Sequence, residues 1–456
     1  MTGKWHLGHE ADALPSARGF ERSFALDASG ADNWAQKAYL PIYDGAPWFE
    51  DGEPTTLPED FYSSRFLVDR MIDYIDSDAD QEAPFFAYLA FQAVHIPVQA
   101  PAEFIEHYRG RYDAGWDALR SARFKAVVAR GLVPASTELG PMPPGLSDWS
   151  DLSAAERRLH ARSMEVNAGM LEAMDHHLGR LVEHLKRQGR FENTVFVVLS
   201  DNGPEPNDPT DTPGFGLWLR WAGYSRDPET LGGPGTYAFI GPEFASADAA
   251  PGAFFKLYAG EGGLRVPLII AGPGVPEGVV TRSFAFITDI APTLLEMAAV
   301  GEAQSRSAIR LQPMTGRSLT PVLNAPEAPL YAAHESVAIE AAGNAAVFKG
   351  DFKLVRNMPP LGDGQWRLYD FARDPGETRD LSAELPARRA ELLADYAAYA
   401  DRVGVLEVPE GYQQMRQLAA NLAHDLRQRY GGLVVGVLLV LVGTVWLGWR
   451  RRSSAN

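Results

Sequence analysis

The stretch Thr194-Val195-Phe196-Val197-Val198-Leu199-Ser200-Asp201-Asn202-Gly203 joins an apolar run to a polar turn, and that junction decides the fold class. From Thr194 to Leu199 the residues are β-branched, aromatic or aliphatic without polar alternation. This is the pattern of a strand covered on both faces, as in a parallel sheet. Ser200 to Gly203 then set a hydroxyl, a carboxylate, an amide and a glycine at the strand's carboxyl end, where ligands bind in open α/β sheets.

Upstream, Glu156 to Gln188 has helical periodicity, with Leu159, Met164, Met170, Met174, Leu178 and Leu185 apolar among Arg, Glu and Lys, and Gly189 closes it. Downstream, Val266 to Ala271 is a second buried-strand run stopped by Gly272-Pro273-Gly274. Asp289 to Ala298 follows as a helix, with Thr288 or Asp289 available as its N-cap. Further upstream, Pro84 to Gln92 is an apolar, aromatic-rich run that ends just before His95. Strand alternating with helix predicts a doubly wound α/β sheet. From about Leu330 the pattern changes to short runs, Ala345 to Phe348, Phe352 to Val355 and Trp366 to Tyr369, separated by turn residues, which predicts a small antiparallel sheet.

The chain has 456 residues, 46% of them hydrophobic and 22% charged, enough for a large packed core rather than a small binding module. Its net charge of −17 argues against a nucleic-acid partner, which needs a basic face, so an anionic ligand must meet a local positive pocket instead. With no cysteine, disulfides, thiolate metal sites and a cysteine nucleophile are excluded within these residues. No signal peptide can be read at the N-terminus. Residues 431–449 are uncharged and almost wholly apolar and are followed by Arg450, Arg451 and Arg452, which predicts a transmembrane helix with a cytoplasmic C-terminus.

In an extended Gly3-Lys4-Trp5-His6-Leu7-Gly8 segment, Lys4 and His6 point to one side and Trp5 and Leu7 to the other, one face polar and one core. An ammonium beside an imidazole can bind an anion and move a proton. Asp201 and Asn202 offer oxygens suited to a hard cation such as calcium, although two ligands are too few, and Asp, Asn and Gly also simply favour turns. His95, flanked by Pro97 and Pro101, sits on a rigid loop that can present a proton donor. Lys256 precedes Glu261-Gly262-Gly263-Leu264-Arg265-Val266-Pro267, whose glycines permit close backbone approach. Taken singly, each of these has an ordinary structural explanation.

Together, in this order and context, they resemble the formylglycine-dependent (type I) sulfatases, and among these the bacterial arylsulfatases. Gly19-Phe20-Glu21-Arg22, Asp60-Phe61-Tyr62-Ser63-Ser64, Val94-His95-Ile96-Pro97, Gly232 to Tyr237, Trp366-Arg367-Leu368-Tyr369-Asp370 and Asp374-Pro375-Gly376-Glu377 extend the resemblance. It implies an alkaline-phosphatase-like α/β fold with a large, mostly parallel sheet flanked by helices. It also implies Asp201 and Asn202 as calcium ligands, Lys4 and His6 at the sulfate and its formylglycine carrier, and His95 with Lys256 holding sulfate and helping the leaving oxygen depart. His9, His176 and His177 match no catalytic position.

The same resemblance implies an aspartate pair for calcium on a first strand and a Cys-x-Pro-Ser-Arg segment whose cysteine becomes formylglycine. Neither occurs in this chain, nor does a Ser-x-Pro-Ser-Arg segment. The expectation is an incomplete calcium site, an inactive chain as given, and a Met1 that is either an internal methionine or the start of a truncated gene. Exposed apolar sheet faces and a tendency to aggregate should follow.

The expected organisation is a catalytic domain over 1–329, a small antiparallel subdomain over 330–400, a juxtamembrane helical linker over 401–430 and a transmembrane helix over 431–449. The expected activity is arylsulfatase-type hydrolysis of organic sulfate esters by a membrane-anchored protein whose catalytic domain is periplasmic or extracellular. The rivals are phosphonate or phosphate ester hydrolysis and a non-catalytic, membrane-anchored binding protein.

Overall fold

The computed structural model describes residues 1–77, 83–301, 305–306, 309–414, 416–417, 419–421, 423–424 and 427–428. Strands β1 (Thr2–Lys4), β2 (Phe24–Leu26), β3 (Trp48–Glu50), β4 (Glu53–Thr55) and β5 (Leu89–Ala90) form a five-stranded sheet in the order β4-β3-β2-β1-β5. β1 runs parallel to both β2 and β5, whereas β2–β3 and β3–β4 are antiparallel. The β3–β4 reversal is made by Asp51 and Gly52, both at positive φ (51° and 94°), the geometry of the tight hairpin turns that Asp-Gly pairs favour.

Four long or packed helices precede the next strand: α1 (Ser63–Asp76), α2 (Ala102–Glu106), α3 (Gly115–Ala129) and α4 (Ala154–Arg187). α1 covers the sheet. Leu67 joins Phe24, Leu26, Trp48 and Phe61 in one core, and Thr2 Oγ1 donates to the Leu67 carbonyl at 3.0 Å. Each large apolar side chain fully buried in this way contributes about 1.5–3 kcal/mol. On the other side of α1, Val68, Met71 and Ile75 meet Leu181 and Leu185 of α4. α4 starts at a capping box between Ser153 and Glu156, and α2 crosses it where a β-carbon on Gly169 would lie 2.8 Å from the Ile105 nitrogen.

β6 (Phe196–Leu199) pairs antiparallel with β7 (Leu268–Ala271), apart from the five-stranded sheet. A short antiparallel pair, β8 (Ser305–Arg306) and β9 (Ile309–Arg310), precedes an antiparallel four-stranded sheet of β10 (Ser336–Ala341), β11 (Asn344–Lys349), β12 (Phe352–Arg356) and β13 (Trp366–Asp370). One face of this last sheet packs on Leu392 of the helix Pro386–Val403. The other face carries Phe348, Val355 and Tyr369 onto Ala259 and Leu264.

Several expectations are corrected here. The large, mostly parallel sheet is replaced by mixed and antiparallel sheets, because β3 returns antiparallel to β2, the Asp51-Gly52 turn folds β4 back on β3, and β6 takes β7 as its partner. β6 is not covered on both faces: Val198 and Leu199 are 39% and 37% exposed. The apolar run before His95 yields only Leu89–Ala90 as strand, with Phe86 and Tyr88 exposed. Asp289 does not cap the helix Ile290–Met297 with its side chain but accepts from the Phe286 and Arg317 nitrogens and from the Tyr331 hydroxyl.

The transmembrane helix expected over 431–449 lies outside the described residues. Among the described residues no helix is long and apolar enough to cross a membrane. The longest, α4, sets exposed and buried residues side by side along an amphipathic helix, one stripe of which packs on the core. Membrane anchoring through a C-terminal helix, and the localisation built on it, are therefore withdrawn.

Candidate anion-binding site

Lys4 is the last residue of β1. Gly3 before it has φ 113°, and a β-carbon there would lie 1.9 Å from the Ala90 carbonyl oxygen, so glycine is what lets β5 close against β1. The strand stops at once: His6 sits at φ 51°, a left-handed turn rather than extended backbone. Trp5 packs edge-on against Phe20 and donates its indole N–H to the Ala13 carbonyl at 2.9 Å, while Leu7 is 71% exposed. The expected clean division into a polar and a core face thus fails at Leu7, because the chain turns before reaching it.

Lys4 and His6 nevertheless share one electrostatic neighbourhood. Burial lowers the Lys4 pKa and Lys256 lowers it further, against Asp201 and Glu205. Burial also lowers the His6 pKa, helped by Lys4 and Lys256 and opposed by Asp27. Both effects follow from taking cations out of water and placing them beside one another.

His95 reaches the same place from the loop after β5. Its Nδ1 lies 2.8 Å from the Ile96 carbonyl oxygen, and its ring meets Tyr39 edge-on at 5.6 Å. A β-carbon on Gly30 would approach that Nδ1 to 3.0 Å, so the ring is held closely from behind. Burial pushes the His95 imidazole down to about 4; Glu205 opposes this, and Lys256 and Lys4 add to it.

Lys256 arrives on the loop after the helix Gly241–Asp248, its backbone N–H donating to the Pro204 carbonyl at 3.1 Å. Its Nζ donates to Glu205 Oε2 at 2.5 Å, and the same oxygen lies 3.5 Å from His95 Nε2. The glycines after it let this loop meet the Asp201-Asn202-Gly203 turn: the Gly203 N–H donates to the Gly263 carbonyl at 2.9 Å. Arg265 turns away from the cluster, donating to Glu261 Oε2 at 2.6 Å.

The structure therefore gathers Lys4, His6, His95 and Lys256, with Asp201 acting on Lys4. Asn202 is beside them in sequence but spends its amide N–H on the Gly203 carbonyl at 2.9 Å. His9 is 80% exposed and only 3.9 Å from Asp27, and His177 lies on α4 near Arg180. Two participants were missed in the sequence, Glu205 and Asp27. Glu205, between Pro204 and Pro206 directly after the turn, lies in a loop that no motif constrains, so its sequence carried no signal.

Calcium takes six to eight oxygens. Asp201 and Asn202 supply two side chains, and among the described residues no group of three or more acidic, histidine or cysteine side chains is placed to hold a metal. The residues present do not by themselves make a calcium site.

The Sulfatase family model matches residues 1–300. An uncharacterized sulfatase of Schizosaccharomyces pombe is 32% identical over 90% of this chain and 76% of its own length. An arylsulfatase of Klebsiella aerogenes is 33% identical over 71% of this chain and 69% of its own. Among solved structures, Ps i-CgsB in complex with k-i-k-neocarrahexaose matches with a TM-score of 0.59 at 19% identity, covering 94% of this chain and 76% of that one. A protein in complex with its substrate D-glucosamine-2-N,6-O-disulfate matches with a TM-score of 0.55 at 17% identity, covering 90% and 81%. At such identities the structural likeness carries the fold alone. On the family match and the sequence identities, this chain is a member of the sulfatase family of sulfuric ester hydrolases.

Proposed function

We propose that Lys4, His6, His95 and Lys256 form the oxyanion side of an arylsulfatase-type site acting on small organic sulfate esters. The observation that carries this reading is the convergence of two ammonium groups and two imidazoles in a chain whose net charge is −17. Cations held in a partly dry cleft stabilise negative charge far better than cations in water, and they need no rearrangement when charge develops. In this reading Lys4 and Lys256 hold the sulfate oxygens, and His95 hands a proton to the departing oxygen. His6 takes part as a base.

Asp201 and Asn202 offer two oxygen side chains, which by themselves do not hold calcium, so no step of this reading runs through a metal. No cysteine occurs among the 456 residues, so a formylglycine nucleophile has no precursor in them. The chain as given is proposed to bind oxyanions without turning esters over.

The test is a pair of measurements on the purified chain, aryl sulfate hydrolysis and thermal stabilisation by sulfate. The expected result is stabilisation without turnover. Turnover at the rate of an intact sulfatase would sink the nucleophile argument; absence of any sulfate effect on Tm would sink the pocket.

A further inference from the structure

Glu205 is a carboxylate in direct contact with two of the gathered groups, Lys256 and His95, and its side chain is only 9% exposed. Oε2 accepts from Lys256 Nζ at 2.5 Å and lies 3.5 Å from His95 Nε2. Oε1 accepts from the Asn207 backbone N–H at 3.3 Å, which ties the group to its own turn. The carboxylate thus uses the donors that an incoming oxyanion would need. It also acts on Lys4 and on the buried Tyr39 and Tyr237 hydroxyls, so its charge is felt by several groups of the site.

We propose that Glu205 is the specificity-determining residue of this site: a built-in anion that an ester must displace from Lys256 and His95, and whose nearby charge favours singly charged sulfate esters over doubly charged phosphate esters. The proposal rests on the anion-pocket reading above. Its physical basis is that a displaced carboxylate is still tethered close by through Asn207 and Pro206. Each added unit of ligand charge then meets one more unit of repulsion among largely buried groups, where the effective dielectric is low. A sulfate monoester carries one negative charge and a phosphate monoester carries two above neutral pH. The carboxylate therefore penalises the second more.

The experiment compares phenyl sulfate and phenyl phosphate binding at pH 8 to the wild-type chain, Glu205→Gln and Lys256→Ala by calorimetry. In Glu205→Gln, phenyl phosphate should tighten by about tenfold or more and phenyl sulfate by clearly less, narrowing the preference between them. In Lys256→Ala both esters should weaken.

Equal tightening of the two esters, or none, with Lys256→Ala still weakening both, overturns the role of Glu205 and leaves the pocket standing. Failure of both esters to bind any of the three proteins overturns the pocket and the proposal with it. Glu205→Asp serves if the glutamine variant does not fold. The shorter carboxylate draws back from Lys256 without losing charge, so it should tighten both esters while preserving the preference for sulfate, and loss of that preference counts against the proposal.

Discussion

Gly203 and Gly263 are locked together: the Gly203 N–H donates to the Gly263 carbonyl at 2.9 Å, and a β-carbon on Gly203 would lie 1.9 Å from the neighbouring Gly262 carbonyl oxygen. This contact holds the turn that carries Asp201 and Asn202 against the loop that carries Lys256. Nothing with a side chain fits between two backbones at that distance.

Gly203→Ala must therefore push the two loops apart. The cost should be about 2–4 kcal/mol, in the range of overpacked and strained sites, with loss of oxyanion stabilisation. Urea denaturation at neutral pH measures the first and a sulfate titration of Tm the second. An alanine variant as stable as wild type would show that the loops are not joined here.

Lys353 is fully buried between Glu261 Oε1 at 2.9 Å and Glu377 Oε1 at 2.7 Å. Burial by itself would raise the Glu261 carboxyl, but Lys353 and Arg265 hold it down to about 2, while Glu377, buried and facing Glu261, is raised. Lys353→Met leaves the carboxylates without their buried cation and should cost about 3–5 kcal/mol. Adding Glu377→Gln to that variant should restore part of the loss. The comparison is made by chemical denaturation of the single and double variants, and strict additivity would count against the triad.

His177 packs between Tyr62 and Phe104 and accepts from Arg180 Nη1 at 3.3 Å. Burial, with Arg180 and His176, pushes it down from 6.5 to about 4. Between those values the unfolded chain binds a proton that the folded chain does not, so stability falls as pH drops through this window. His177→Gln lacks that penalty. Relative to wild type the variant should gain on the order of 1–3 kcal/mol between pH 7 and pH 4. Denaturation midpoints of both proteins across that range give the difference, and parallel pH curves would refute it.

Lys4→Ala and Lys256→Ala each remove one charged donor from the cleft. Each should weaken sulfate binding by at least about tenfold, since hydrogen bonds to charged groups are worth about 1.5–3 kcal/mol. Wild-type affinity in both variants would place the anion elsewhere.

Calcium provides a separate check. With two candidate oxygen side chains and no third group beside them among the described residues, calcium at about tenfold above a sensor-type Kd of 10⁻⁵ M should leave Tm unchanged. A rise in Tm that Asp201→Asn abolishes would show that these residues do bind the ion.

Local rules reach some of this molecule and stop short of the rest. The α4 helix is written in its periodic apolar positions, its Ser153-Glu156 box and the closing Gly189, all of them contacts between residues near in sequence. β6 and β7 announce themselves as apolar runs, yet such a run carries no strand direction. The antiparallel pairing of Val197 with Ile270 and the exposure of Leu199 were decided only by which backbone lay alongside. Lys4, His6, His95 and Lys256 are singled out only together, by an order and context that resemble a known family, since each alone has an ordinary structural explanation. Glu205 is not. A glutamate between two prolines reads as solvated loop until Lys256, far along the chain, folds back to 2.5 Å from it. Residue identity and short-range periodicity determine elements and candidate side chains; strand direction, burial and charge pairing depend on which distant segments share a surface, and the tertiary structure alone settles that.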